Sequence, residues 1–221
     1  MDKRKIWEQI PEKAKIGIIR GIKDDYNITI KLHQNIFDKI SGRKQPTDAD
    51  LETIFNAESL MLGGSDISSI DFVKYFSRLR SIYLWGTNVT NISPLSALAN
   101  IENIYASGTK IQSYEPLRNS KIKLLYNSFS DASDYQYLSN ILTLEKLELS
   151  DNEQLTSVEW FYHLSNLEML HISHTQVTTL RPIIELKKLK ELLVVMTPLA
   201  ESEIEFYNLN NKSRIRAQNW L

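Results

Sequence analysis

The chain contains no cysteine. That excludes disulfides, a cysteine nucleophile and thiolate-held metal, and it goes with a cytoplasmic expectation. Long apolar runs are also missing: none approaches the ~20 residues that a membrane-spanning helix needs. The start, Met1-Asp2-Lys3-Arg4-Lys5-Ile6-Trp7-Glu8, is charged rather than apolar, so no secretory signal is read there. Neither sign of charge is in excess, with 26 Lys and Arg against 27 Asp and Glu. A nucleic-acid binder would show a clustered basic surface instead. G-x-S-x-G, H-E-x-x-H, a Walker loop and G-x-G-x-x-G are all absent, and Gly63-Gly64 lacks the Lys-Ser/Thr that phosphate binding requires. The expectation is a non-enzyme without cofactor, binding neither nucleic acid nor membrane.

What is present is a repeat. Seven apolar-x-apolar pairs recur: Leu60/Leu62, Ile82/Leu84, Ile104/Ala106, Ile122/Leu124, Leu147/Leu149, Leu170/Ile172 and Leu192/Val194. Their first members are 22, 22, 18, 25, 23 and 22 residues apart. Each pair reads as a short strand with its two apolar side chains inward. Thr87, Thr109, Thr175 and Thr197, with Asn127 and Asn152, occupy a turn where a short polar side chain can bond loop backbone. Pro94, Pro116 and Pro182 start the return segment, where a fixed φ suits a helical turn. The 18 and 25 sum to nearly two ordinary periods, which marks 128–137 as a displaced loop rather than a lost repeat.

Periods of about 20–29 residues with this pattern predict an α/β solenoid, a right-handed leucine-rich repeat of seven to eight units with a concave parallel sheet, capped at both ends. Residues 1–56 form the N-terminal capping segment, 57–199 the repeats and 200–221 a C-terminal cap. Within the first segment Ile16 and Ile18 alternate with Ile28, Ile30 and Leu32 in the manner of a hairpin, against which a helix over 6–22 competes. Short helices are expected at 35–40 and from Thr47 onward. In the last segment Ile215 stands 23 residues after Leu192 and predicts a closing strand, with Trp220 shielding it.

The stretch from Leu79 to Asn100, LRSIYLWGTNVTNISPLSALAN, fits the bacterial leucine-rich repeats typified by internalins almost throughout. It is also similar to the 22-residue class in the regulatory subunit of eukaryotic protein phosphatase one. The resemblance covers about two-thirds of the chain. It implies a binding solenoid, and it departs from surface internalins in lacking a secretion signal and a wall-anchoring end. Effector ubiquitin ligases with such repeats need a cysteine, which this chain does not have.

Side chains between and just after each pair point to the concave face. Read that way, Met61, Tyr83, Trp85, Tyr105 and Tyr126 form an aromatic patch on the N-terminal half, left open by Gly86 and Gly108. Tyr and Trp bury much area for little lost rotamer freedom, so these are candidate partner anchors. Lys123, Glu148, Asp151, His171 and His174 complete the surface and would tune specificity. Two His and two carboxylates also raise a metal site, the basis of a less favoured metal-dependent enzyme. The expected function is protein binding by a chain that is monomeric alone, with an inhibitor or immunity protein as the concrete form. A regulatory subunit or adaptor and an exported surface binder are the alternatives.

Overall fold

The structure is a computed structural model that describes residues 2–24 and 45–210. Seven three-residue strands run in chain order through one parallel, open sheet. They are β1 (Ser59–Met61), β2 (Ser81–Tyr83), β3 (Asn103–Tyr105), β4 (Leu124–Tyr126), β5 (Lys146–Glu148), β6 (Met169–His171) and β7 (Glu191–Leu193). Parallel neighbours need a crossover, and here each crossover is a 3-10 turn on the convex side. Prolines 94, 116 and 182 stand at the starts of three of these turns, where the missing N–H costs nothing.

The register corrects one pair. Ile104 lies opposite Leu125, and Leu125 opposite Leu147. Leu125 and Asn127, not Ile122 and Leu124, therefore hold the two inward positions of the fourth repeat. The spacings become 22, 22, 21, 22, 23 and 22, and the displaced loop at 128–137 disappears. The single missing residue lies on the return segment. Ile92, Leu95, Leu98 and Ile101 are answered in the next repeat by Tyr114, Leu117, Ser120 and Ile122.

Asn127 hid this register because it is a polar residue in an apolar column, and it is fully buried. Its side-chain amide donates to Tyr114 Oη at 3.0 Å and Ser130 Oγ at 2.9 Å, and Asn152 Nδ2 donates to its backbone carbonyl at 2.9 Å. A buried amide so satisfied costs little, whereas one left unpaired costs a few kcal/mol. Asn127 thus leaves the turn column, whose true member is Ser130. Three other members behave as expected, the hydroxyls of Thr109, Thr175 and Thr197 each donating at 2.7 Å to the carbonyl three residues back, whereas the buried Thr87 hydroxyl has no such partner.

Helices stand at both ends of the sheet. Asp2 caps α1 (Lys3–Gln9), and α2 (Glu12–Asp24) lies along β1. Ile16 and Ile18 are therefore helical, not part of a hairpin; the proposed partner residues 28–32 and the helix at 35–40 fall outside the described residues. Gly17 permits the approach, since a Cβ there would come 2.8 Å from the Met61 carbonyl oxygen. Thr47 and Asp50 close a reciprocal capping box on α3 (Asp48–Phe55), whose Leu51, Ile54 and Phe55 enter the core. After β7 the chain forms α4 (Glu201–Asn210), burying Tyr207. Ile204, Phe206 and Leu209 are thus helical, and the strand expected at Ile215 and the shielding Trp220 fall outside the described residues.

Candidate functional site

Alternation along each strand, with the turn that follows, gives three concave rows from the middle of each core pair onward, besides the one just before it. The central row runs Met61, Tyr83, Tyr105, Tyr126, Glu148, His171 and Leu193, one residue per strand in direct register. It brings together six of the residues expected to form the site. Tyr83 and Tyr105 stack at 4.4 Å with their planes 2° apart, and Tyr126 meets Tyr105 edge-on at 5.4 Å. Strands about 4.8 Å apart enforce this contact, because neighbouring rings have no other spacing open to them. The Tyr126 hydroxyl lies 3.7 Å from Met169 Sδ. Burial, then the charges of Tyr105, Glu148 and Glu191, raise its pKa above that of an ordinary tyrosine.

Trp85 belongs to the next row and remains 49% exposed. Its indole lies over Gly63, where a Cβ would stand 2.3 Å from the ring. Gly63 is therefore a seat for Trp85 as well as part of a turn. Ser107, Ser128, Ser150 and Ser173 continue this row before Val195 ends it, so its aromatic bulk is confined to Trp85 in the first repeats.

The third row is set by backbone conformation. Gly64, Gly86 and Gly108 adopt positive φ, and so do Phe129, Asp151, His174 and Met196 at the same place in the later repeats. The turn demands the left-handed region in every repeat; side chains accept it at a cost of about 1 kcal/mol each. Asp151 and His174 pair loosely at 3.9 Å beside the exposed Phe129 and Met196, on the rim of a concavity of about 510 Å³.

Two assignments change. Lys123 stands ahead of β4, outside the rows, in an edge series of Glu58, Arg80, Glu102, Lys123, Glu145, Glu168 and Lys190. There it pairs with Glu102 at 3.2 Å, and Arg80 pairs with the same carboxylate at 2.9 Å. The two His and two carboxylates do not converge either. His171 Nδ1 lies 2.7 Å from Glu148 and Nε2 2.8 Å from Glu191, while His174 turns to Asp151. Among the described residues no group of three or more His, Asp or Glu is arranged to hold a metal ion.

Glu191 was missed by reading only the positions between and after each pair. The residue just before each pair also faces the concave side, and one further step of the alternation finds it. Glu148 also accepts from Ser150 N at 2.8 Å and Ser128 Oγ at 3.0 Å. Burial alone would raise the Glu148 pKa, but the His171 and Ser150 hydrogen bonds outweigh it and hold the carboxyl below its usual range. Burial would likewise lower His171, but the bonds to Glu148 and Glu191 prevail and raise it.

No protein-family model matches the sequence, and no characterised protein matches it. Solved structures do. Internalin C2 from Listeria monocytogenes is similar with a TM-score of 0.65 at 17% identity, over 92% of this chain and 92% of that one. The internalin inlF from the same organism gives 0.62 at 21% identity, over 92% of this chain and 62% of the other. The leucine-rich-repeat ectodomain of the Arabidopsis thaliana receptor kinase GASSHO1/SCHENGEN3, solved in complex with CASPARIAN STRIP INTEGRITY FACTOR 2, gives 0.59 at 20% identity, over 78% of this chain and 22% of that one. The shared feature is the fold, a leucine-rich-repeat solenoid.

Proposed function

We propose that this chain is a non-catalytic binding module whose concave face holds a protein or peptide partner. The observation that carries the reading is the continuous aromatic row from Tyr83 to Tyr126, with Trp85 half-exposed beside it. Rings held in register by the sheet have already lost their rotamer freedom, so a partner packing on them forfeits little further entropy. Aromatic residues are also where binding energy concentrates at interfaces. Seven strands at about 4.8 Å span roughly 30 Å, a length suited to an extended segment or a protein surface. The plant receptor ectodomain of the same fold was solved in complex with CASPARIAN STRIP INTEGRITY FACTOR 2, in keeping with this use of the architecture. Occlusion of a partner's own surface, as by an inhibitor or immunity protein, is the narrower form proposed.

The test is a paired capture from lysate of the source organism, comparing the wild type with a Tyr83→Ala/Trp85→Ala variant whose folding is checked by circular dichroism. A protein retained by the wild type and lost by the folded variant, then rebinding in purified form, supports the reading. Identical capture by both would move the interface off this face.

A further inference from the structure

We propose that Glu148, His171 and Glu191 form a proton-gated clamp across β5, β6 and β7, closed while His171 carries both ring protons and opened at Glu191 when it loses one. The proposal rests on the binding reading for its use, since the clamp occupies the same face, but the clamp itself is read without any partner.

The geometry fixes the closed state. Both ring nitrogens lie within hydrogen-bond distance of a carboxylate oxygen, at 2.7 and 2.8 Å. Ionised carboxylates only accept, so both nitrogens must donate, and only the imidazolium does that. The bracket comes from the register. Glu148 precedes His171 in the central row, while Glu191 reaches across from the position before the β7 core residue.

The two arms are unequal, and that decides which one opens. Glu148 is fixed by Ser150 and Ser128 as well as by His171, and its side chain is only 18% exposed. The Glu191 side chain is 56% exposed and is held at Nε2. When one proton leaves for bulk water, the other stays on Nδ1 against the better-held carboxylate. Nε2 then turns a lone pair toward Glu191, and that carboxylate swings into solvent. The cluster passes from one net negative charge, two carboxylates against one imidazolium, to two.

The other groups facing the clamp are few. Tyr126 on β4 is level with Glu148 in the register and stays neutral in this range, since its pKa is raised. Lys146 on β5 is level with Met169 and Glu191 in the register and acts on Glu168. Lys190 is bonded to Glu168 at 2.7 Å. Ser128 and Ser150 carry no charge. The opened Glu191 thus offers a partner's lysine or arginine an acceptor that the closed clamp withholds, so engagement of a cationic segment strengthens as pH rises.

The experiment is a ¹⁵N imidazole NMR titration of the purified full chain, with His171 assigned by its loss in His171→Gln. The expected result is a midpoint above the ordinary 6.5, imidazolium shifts at both nitrogens below it, and a single tautomer protonated at Nδ1 above it. In Glu191→Gln the midpoint falls, while backbone amides outside β5–β7 keep their positions. A wild-type midpoint at or below 6.5, a final proton on Nε2, or a midpoint unmoved in Glu191→Gln would overturn the proposal. None of these readouts involves a partner, so a failed capture experiment and a failed clamp are told apart.

Discussion

The first three repeats and the last four share one backbone and carry two different chemistries. In the first, the left-handed turn position is glycine every time, at 64, 86 and 108, and the concave rows are neutral and aromatic. In the last four the same position holds Phe129, Asp151, His174 and Met196, and on β5 and β6 the central row turns to Glu148 and His171 before ending in Leu193. Trp85 is admitted by Gly63, just before the first turn glycine, since its ring covers the place a side chain there would fill. The row beneath carries Trp85, then serine at 107, 128, 150 and 173, and closes on Val195. Each half of the solenoid is thus left with a different kind of concave surface.

The junction of the halves gives the largest expected effect. Asn127→Ala removes the amide that joins Tyr114 and Ser130 inside the core. With the buried Tyr114 hydroxyl left to Ser130 alone and a cavity opened beside it, stability should fall by about 3 kcal/mol in urea unfolding. A loss under about 1 kcal/mol would mean that water replaces the amide and the halves are not joined through it. An intermediate effect, opposite in sign across the comparison, is expected at the turn row. Gly86→Ala (φ 64°) should destabilise by about 1 kcal/mol, while Phe129→Gly (φ 55°) should stabilise by a similar amount, since its exposed ring contributes little packing. Equal signs in thermal melts would break the equivalence of the two positions.

The smallest effect is pH-dependent and confined to the charged half. His171 has a raised pKa when folded, so its contribution is complete below the unfolded value of 6.5 and fades as pH rises through the folded one. Glu148 is lowered, so its contribution is complete above 4.5 and fades as pH falls through its folded value. The stability difference between wild type and His171→Ala should be greatest between those pH values and shrink on either side. A flat difference from pH 4 to 8 would show that the clamp adds nothing to folding.

Much of this was legible in the sequence, and the failures are specific. Apolar pairs every 22 residues were enough for six of the seven strands, because a parallel strand buried on its inner face must show its apolar period. The fourth failed because Ile122-Lys-Leu124 imitates that period three residues early, while the true pair ends in Asn127. Lys123 was drawn into the site by the same slip. Tyr83, Tyr105 and Tyr126 were each readable as concave, yet the stack they make depends on the register of β4. Ile16 and Ile18 satisfied the spacing of a strand and of a helix alike, and the contact of Gly17 with the β1 edge goes with the helix.

By itself, then, the sequence determined the repeat, the inward columns and the presence of an aromatic and a charged half. Those are properties of period, and period is local. Only the tertiary structure decided the register of the fourth repeat, the seating of Trp85 on Gly63 and the bracketing of His171 by Glu148 and Glu191. Each of these pairs residues about twenty positions apart on adjacent strands, and their distances exist only once the neighbouring repeat has packed.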